Sequence, residues 1–558
     1  MTIINTSKNN CKNCYKCIRE CPVKAIEFSN NQAQIIEEEC VLCGICYNAC
    51  PQEAKQLFSD LDFVKTWLLQ GESVHVSIAP SFLSDFYKSD FNSIEKGLIE
   101  LGFSGAQQTS VAATYVKKKY ETHLKDTNKK VLISSCCPTI NLLIQKHYPH
   151  LIPFLSTTPS PMVVHGTTIK QKETTDKVVF IGPCISKKHE QSMYPDSLDA
   201  VISFLELKTW FEEANITYTK TEDSMNLMGR TNQFPIAGGI IKSFTSFEQD
   251  RHYLAVDGIK ACMEALDDIS HGIIDQCFIE MSACRGSCVG GPLRNRKHNT
   301  PLKSLININR NVVDADFSFE ENTFNTIEAV YDNLQVVHPQ ISEKALQKVL
   351  FNMGKDDTAN HLNCGSCGYL TCRDKAIAVI QGKADLTMCL PYLKDRAESF
   401  SDHIIQSAPN GVIVLNEKLQ IQVMNPAACE IFQLNNAKDS LTQHIAVLKD
   451  PTLYYDLIES KKRKKHKRYY LPDVERFIDE TIVYDYDFKV FICVLRDITK
   501  EINMQKAKTA TKNQALAITN EVIQKQMRAV HEIASLLGET TADTKVALSQ
   551  LKDVLNDE

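Results

Sequence analysis

No run of eighteen apolar residues occurs anywhere in this 558-residue chain, so the sequence offers no membrane-spanning helix. The opening residues, MTIINTSKNNCKNC, lack the apolar stretch of a secretory signal. The formal net charge is only -6, too little at this length to point to nucleic acid, a membrane surface or a strongly charged substrate. These absences lead us to expect a cytoplasmic protein with no nucleic acid and no membrane among its partners. What the chain does have is cysteine, 21 of them, and they fall in tight clusters. In a reducing compartment, clustered thiols are metal ligands sooner than disulfides. The length suffices for roughly three or four domains.

Residues 11–51 contain CKNCYKCIRECP and CVLCGICYNACP, one pattern of C-x2-C-x2-C-x3-C-P written twice. Three thiolates spaced by two residues occupy three corners of an iron-sulfur cube, and the fourth cysteine, before proline, reaches across to the other cube. The spacing thus predicts one 4Fe-4S cluster on Cys11, Cys14, Cys17 and Cys50, and a second on Cys40, Cys43, Cys46 and Cys21. Zinc is the competing reading, but zinc sites normally use two C-x2-C pairs rather than triplets. Residues 1–60 resemble bacterial two-cluster ferredoxins.

From about residue 72 the text becomes short β-branched runs (VHVSIAP, KVLISSC, DKVVFIGPC) separated by helix-length segments such as NSIEKGLIELG. This rhythm predicts an α/β domain with parallel strands. Cysteines stand at the ends of these runs, where open α/β sheets gather their ligands. Two of them, Cys136 and Cys137, are adjacent. Their Cα atoms are about 3.8 Å apart, short of the roughly 5.5 Å a relaxed disulfide prefers.

The segments SSCCP, PCISKKHE and EMSACRGSCVGGP, in that order, resemble the three signature motifs around the H-cluster of FeFe hydrogenases, and IAPS, SPM and FPIAGG fit as well. The resemblance implies the family fold over residues 72–335. It also implies Cys137, Cys184, Cys284 and Cys288 as ligands of a 4Fe-4S cube, Cys288 bridging to a diiron subcluster. Cys136 becomes the proton-relay thiol or, alternatively, a buried neighbour of a true ligand. By the same resemblance Lys187 would sit near a cyanide of the diiron unit, and Glu190 would be a supporting residue of the same motif. The chain departs from the catalytic pattern at Ile140, Gly182, Ser282 and Pro292, and the helix after TSVAA carries lysines where a glutamate proton path would run.

A fourth group, Cys364, Cys367, Cys372 and Cys389, is spaced C-x2-C-x4-C-x16-C. Residues 340–398 resemble the small 4Fe-4S domain found with corrinoid iron-sulfur proteins; zinc is again the alternative. Residues 400–498 resemble a PAS sensor domain. There, Cys429 reads as core and His444 as unpaired, while the basic run at 461–468 reads as a solvated loop or strand edge. In residues 499–558, Leu516, Ile523, Val530 and Leu537 recur every seven residues with Met527 and Ala534 at the offset, a coiled-coil seam that predicts a homodimer. Gly538 is the expected helix cap, residues 540–555 a second helix, and His531 a structural histidine.

The expectation is therefore a multidomain α/β protein: a ferredoxin-like two-cluster module, a hydrogenase-type α/β domain, a small 4Fe-4S domain, a PAS α+β domain and a C-terminal helical coil. Its cofactors are four 4Fe-4S clusters, with or without the diiron subcluster. The leading functional reading is a sensor of hydrogen or redox state, with a redox partner such as ferredoxin and a signalling partner reached through PAS and coil. The alternative is a catalytic ferredoxin-linked hydrogenase that interconverts 2 H+ + 2 e- and H2. A third reading is an electron-transfer hub whose pocket holds only a cube.

Overall fold

A computed structural model describes the chain except residues 1–2, 8, 87–88, 127–129, 173–176, 220–228, 295–299, 311, 320–326, 438–439, 461, 538–544, 548, 551 and 553–558. It divides into two compact units, Met1–Leu393 and Lys394–Glu558.

The first unit is built on two parallel sheets. One has the order Gly105–Gln108, Val74–Ile78, Lys177–Gly182, Ala200–Ser203, and the other the order His252–Asp257, Cys277–Ser282, Val131–Ile133. The β-branched runs supply the central strands. In the first sheet Val76, Ile78, Val178, Val179, Ile181 and Ile202 are all sealed from water, because helices cover both faces, as parallel sheets require. Those helices start where the sequence provides caps. Asp90 and Ser93 form a capping box before Phe91–Glu100, as do Ser203 and Glu206 before Phe204–Glu213. Helix Ile259–Ser270 turns Ile259, Cys262, Ala265, Leu266 and Ile269 inward, a helical period, while its other positions are more exposed.

Residues 3–58 form a small module with a hairpin (Ile26–Ser29 with Gln32–Ile35), a second antiparallel pair (Ile4–Thr6 with Lys55–Leu57) and two short helices, Lys16–Glu20 and Ile45–Ala49. Ile4 of this module shares a core with Ile185 and Leu293 of the α/β region. Of the last cysteine group, Cys372 opens the helix Cys372–Ile380, which shares a core with helix Glu343–Asn352, while Cys364 and Cys367 lie in the loop before it and Cys389 beyond it. Three stretches that read as separate modules in the sequence thus belong to one packed unit.

The second unit is a five-stranded antiparallel sheet in the order Ile421–Met424, Gly411–Asn416, Val490–Asp497, Arg476–Asp485, Lys464–Leu471, followed by the 39-residue helix Thr499–Leu537. Strand, turn, strand and helix fall where the text from PNGVIVL to CEIF predicts them. The basic run enters the edge strand, where Lys465 pairs with Asp456, and His466 and Arg468 both meet Asp479; the residues are solvated, as expected of a strand edge. Gly538 and most of residues 540–555 lie outside the described residues, as do the side chains of Ala534 and Leu537.

Candidate metal centres

In the N-terminal module each cysteine triplet wraps into a short helix whose preceding residue is left-handed, Tyr15 at φ 55° and Gly44 at φ 73°. The reversal lets successive thiols face one space. Cys21 of the first motif lines a cavity together with Cys40, Cys43 and Cys46 of the second, the crossed set that the spacing predicts. Burial pushes these thiols upward, Cys21 to about 11 and Cys46 to about 12, with their mutual repulsion adding to it. Cys17 is raised by burial too, with Cys14 and Cys11 close enough to contribute. The Cys50 sulfur accepts the Ala54 N–H at 3.3 Å. Lys55, 4% exposed, is a buried cation that draws down both Cys17 and Cys46 while its Nζ donates to Thr6 Oγ1 at 2.6 Å. A positive charge there offsets anionic thiolates on either side.

The second centre lies where the carboxyl ends of the strands meet. Strand Val131–Ile133 runs into Cys136 and Cys137, strand Lys177–Gly182 into Cys184, and strand Cys277–Ser282 into Cys284 and Cys288. All five thiols and Lys187 line one apolar cavity of about 110 Å³ together with Ala79, Met162, Phe180 and Phe234. Cys288 is exposed to this cavity, and the protein packed around it pushes its thiol up to about 12. Cys284 is raised by burial and by Cys184, Cys137, Cys288 and, from the N-terminal module, Cys43. The two centres are therefore neighbours. Pro138 opens the helix Pro138–His147 directly after Cys137, and at its far end Lys146 donates to the carbonyls of Glu37 and Cys40, both at 2.8 Å.

Lys187 donates to Glu190 Oε2 at 2.6 Å and to Ser160 Oγ at 2.8 Å. Burial alone would lower its pKa; the Glu190 carboxylate overrides that and holds it charged. The surroundings of Cys136 carry no spacing signal in the sequence. Tyr120 OH lies 3.2 Å from the Cys136 sulfur and 3.0 Å from Ser135 Oγ, and Tyr331 shares a hydrogen bond with Ser135. Burial raises Cys136 to about 12, with Tyr120, Lys187, Glu190 and Glu280 among the groups that face it.

The third set, Cys364, Cys367, Cys372 and Cys389, lines a further cavity with Tyr369 and Lys375.

The family models agree with this geometry. Residues 72–292 match the C-terminal domain of the iron-only hydrogenase large subunit; residues 3–51 match a 4Fe-4S dicluster domain, residues 360–391 a putative Fe-S cluster domain and residues 399–498 the PAS fold. Residues 72–292 are thus similar to FeFe hydrogenases. It is 26% identical over 367 residues to iron hydrogenase 1 of Clostridium pasteurianum, covering 52% of this chain and 64% of that protein. It is 27% identical over 175 residues to the cytosolic Fe-S cluster assembly factor NAR1 of Kluyveromyces lactis, 28% of this chain and 36% of that one. A solved [FeFe]-hydrogenase HydA1 chain from Chlamydomonas reinhardtii aligns with TM-score 0.38 at 17% identity, over 49% of this chain and 91% of that chain. The chain spans between about a third and two thirds of the length of these curated relatives. Its cofactors are 4Fe-4S clusters, and clustered soft thiol donors fit them.

Two of the departures from the hydrogenase pattern have structural causes. At Gly182 a side chain would strike the Phe180 ring at 2.6 Å, and Phe180 itself lines the cavity. Pro292 packs on Gly44, between Cys43 and Ile45, closing the joint between the two centres. Ile140 is buried in a core with Leu143 and Ile144, and Ser282 Oγ lies 2.9 Å from Ser287 Oγ. In the PAS fold Cys429 is buried, and the His444 ring accepts the N–H of Ala446, a local cap. His531 is exposed on the long helix. No helix among the described residues is long and apolar enough to cross a membrane.

Proposed function

We propose that this FeFe hydrogenase-like chain senses hydrogen or redox state and passes that state through its PAS fold and terminal helix to a signalling partner. The observation that carries the reading is the joining, in one chain, of a buried five-thiol cavity to a PAS fold that leads into a 39-residue helix. In this reading one cluster sits on Cys11, Cys14, Cys17 and Cys50, another on Cys40, Cys43, Cys46 and Cys21, a third on Cys137, Cys184, Cys284 and Cys288, and a fourth on Cys364, Cys367, Cys372 and Cys389. When bound, these groups supply one-electron storage and, at the third set with a diiron subcluster, affinity for hydrogen. The chain's own residues bury the donors, balance their charge through Lys55 and Lys187, and hold a thiol, Cys136, beside the cavity. The domains then divide at 1–60, 72–335, 340–398, 400–498 and 499–558.

Electrons come from a ferredoxin-class partner in the cytoplasm. The helix supports a homodimer: Leu516, Ile523, Met527 and Val530, with Thr519, form a half-buried line on a largely exposed stretch, a seam that a second copy would cover. A second reading, a slow ferredoxin-linked hydrogenase, is favoured by one observation, the retention of Cys136 and Lys187 in the same cavity.

The deciding experiment is infrared spectroscopy with iron analysis on anaerobically matured protein. Four filled sets give about sixteen irons, or about eighteen with a diiron unit. Carbonyl and cyanide bands with hydrogen/deuterium exchange but no net hydrogen production from reduced ferredoxin support sensing, and sustained ferredoxin-dependent hydrogen production, even if slow, supports the enzyme. Eight or fewer irons would overturn both readings.

A further inference from the structure

The module carrying the fourth cysteine set is fastened to the N-terminal module by contacts that the sequence does not announce. Arg19 donates to Ser366 O at 3.1 Å, Lys24 Nζ to Gly368 O at 3.0 Å, and Phe28 N–H to Lys383 O at 2.8 Å. Lys383 and Glu39 form an ion pair at 2.6 Å, their side chains 10% and 8% exposed. Gly368, at φ +94°, brings its backbone so close to Ile18 and Arg19 that a Cβ would sit 3.0 Å from Ile18 Cγ2. Cys17, Ile18, Cys46, Cys367, Tyr369 and Met388 share one apolar core. The two thiol-bearing modules are therefore fixed neighbours, docked face to face.

At this seam stands Tyr369, 4% exposed. Lys24 Nζ lies over its ring at 5.8 Å and Lys375 Nζ at 5.5 Å, so two cations approach the ring. Its hydroxyl has no hydrogen-bond partner in the protein. A buried, unpaired hydroxyl costs on the order of 1–3 kcal/mol, so an acceptor is called for. Both lysines are donors. The acceptor-type groups that face the hydroxyl are the sulfurs of Cys367 and Cys21 and the carboxylate of Glu39, and Glu39 is already held by Lys383. The residue itself lines the cavity ringed by Cys364, Cys367, Cys372 and Cys389.

We propose that Tyr369 is a positioning residue whose phenol donates a hydrogen bond to a sulfur of the 4Fe-4S cluster in the fourth cysteine set, at the face turned toward Cys21. This rests on the assignment of that set to a cluster. A hydrogen bond to cluster sulfur stabilises the reduced form and raises the potential. Tyr369 keeps its proton throughout, so the bond tunes the site without a proton transfer.

The test is an anaerobic redox titration of the full chain followed by electron paramagnetic resonance, with iron counted in the same samples. Tyr369→Phe keeps the ring and removes the donor. The expected result is unchanged iron and one cluster signal moved to lower potential, near a tenfold change in its reduced-to-oxidised ratio at fixed poise, or about 59 mV for one electron. Unchanged iron with every potential unmoved overturns the proposal. Should the phenylalanine variant lose iron, 3-fluorotyrosine installed at position 369, a more acidic phenol of the same shape, decides: a rise in one potential supports the bond, and none overturns it. Cys364→Ser with Cys389→Ser separates the underlying reading, since iron that stays at the parent level removes the cluster from this set whatever Tyr369 does.

Discussion

Gly44 is where the joint between the first two centres can be tested by a single methyl group. Its φ of +73° is left-handed, and a Cβ there would lie 2.6 Å from Pro292 Cβ, 2.8 Å from Pro292 Cγ and 2.8 Å from Ile185 Cδ1. Ordinary carbon contacts are about 3.5–4.0 Å, so the modules must part by roughly 1 Å or the chain must refold locally. The left-handed conformation costs an L-residue about 1–2 kcal/mol. Overpacking against a proline ring, which cannot swing aside, adds about 1–3 kcal/mol. Gly44→Ala should therefore destabilise the N-terminal module by about 2–5 kcal/mol, the sum of those two ranges. Gly71 supplies the control: its φ is +76° but nothing lies within 4 Å of its would-be Cβ. Gly71→Ala should cost only the conformational part, about 1–2 kcal/mol. The assay is urea unfolding of the whole first unit, Met1–Leu393, which holds both glycines, followed under argon by its helical signal and cluster absorbance, comparing midpoints among parent, Gly44→Ala and Gly71→Ala. If the two alanine variants shift alike, Pro292 and Ile185 do not press on Gly44 and the described joint is wrong.

Glu280 gives a pH prediction. It is 2% exposed and accepts the Ile240 and Ile241 N–H groups at 3.0 and 3.1 Å; burial nevertheless pushes its carboxyl up to about 7 from the ordinary 4.5. A raised folded pKa means the protonated form is the one that folding favours, so stability is full below pH 4.5 and falls as pH rises through 7, by up to about 3 kcal/mol. In Glu280→Gln the urea midpoint should lose most of that decline between pH 5 and pH 8, whereas parallel profiles would refute it. The paired thiols give another prediction. Cys137→Ser should lose or alter the local cluster, because a hydroxyl is a poorer iron donor. Cys136→Ala should keep the iron, since Tyr120 retains Ser135 as partner, yet slow hydrogen/deuterium exchange roughly a hundredfold if the thiol carries protons. An alanine variant exchanging at the parent rate makes Cys136 a packed neighbour only. For the coil, a fragment of residues 394–558 that sediments as a monomer would remove the dimer.

The grouping of cysteines around shared cavities was legible because such a pattern is local. A triplet spaced by two residues constrains a few turns of chain, and the crossed placement of Cys21 with Cys40, Cys43 and Cys46 follows from that spacing alone. The strands of the hydrogenase-type domain were legible for a related reason: runs such as VVFIG are buried on both faces and have little tolerance for polar residues. What escaped was everything fixed by long-range approach. Tyr120, Lys55, Glu280 and Tyr331 carry no spacing signal, and each acquires its role only when distant segments close around it. Tyr331 lies in a segment without helix or strand that is pinned where Ala329 N–H donates to Thr157 O and Leu334 N–H to Gln145 O. A proline at 292 read as a departure from a family pattern, and its ring is the surface against which the Cys43 loop rests. Departures of this kind are ambiguous in a sequence because the residue that compensates lies elsewhere; here the compensating residue is a glycine about 250 positions away, at a φ that tolerates little else. The same logic holds at the other seam, where Gly368 permits the approach that leaves the Tyr369 hydroxyl facing sulfur. Glycines beside ligand cysteines therefore do two jobs in this chain: they let the backbone turn around a cluster and let a second module come up against it. Only the first job can be read from spacing.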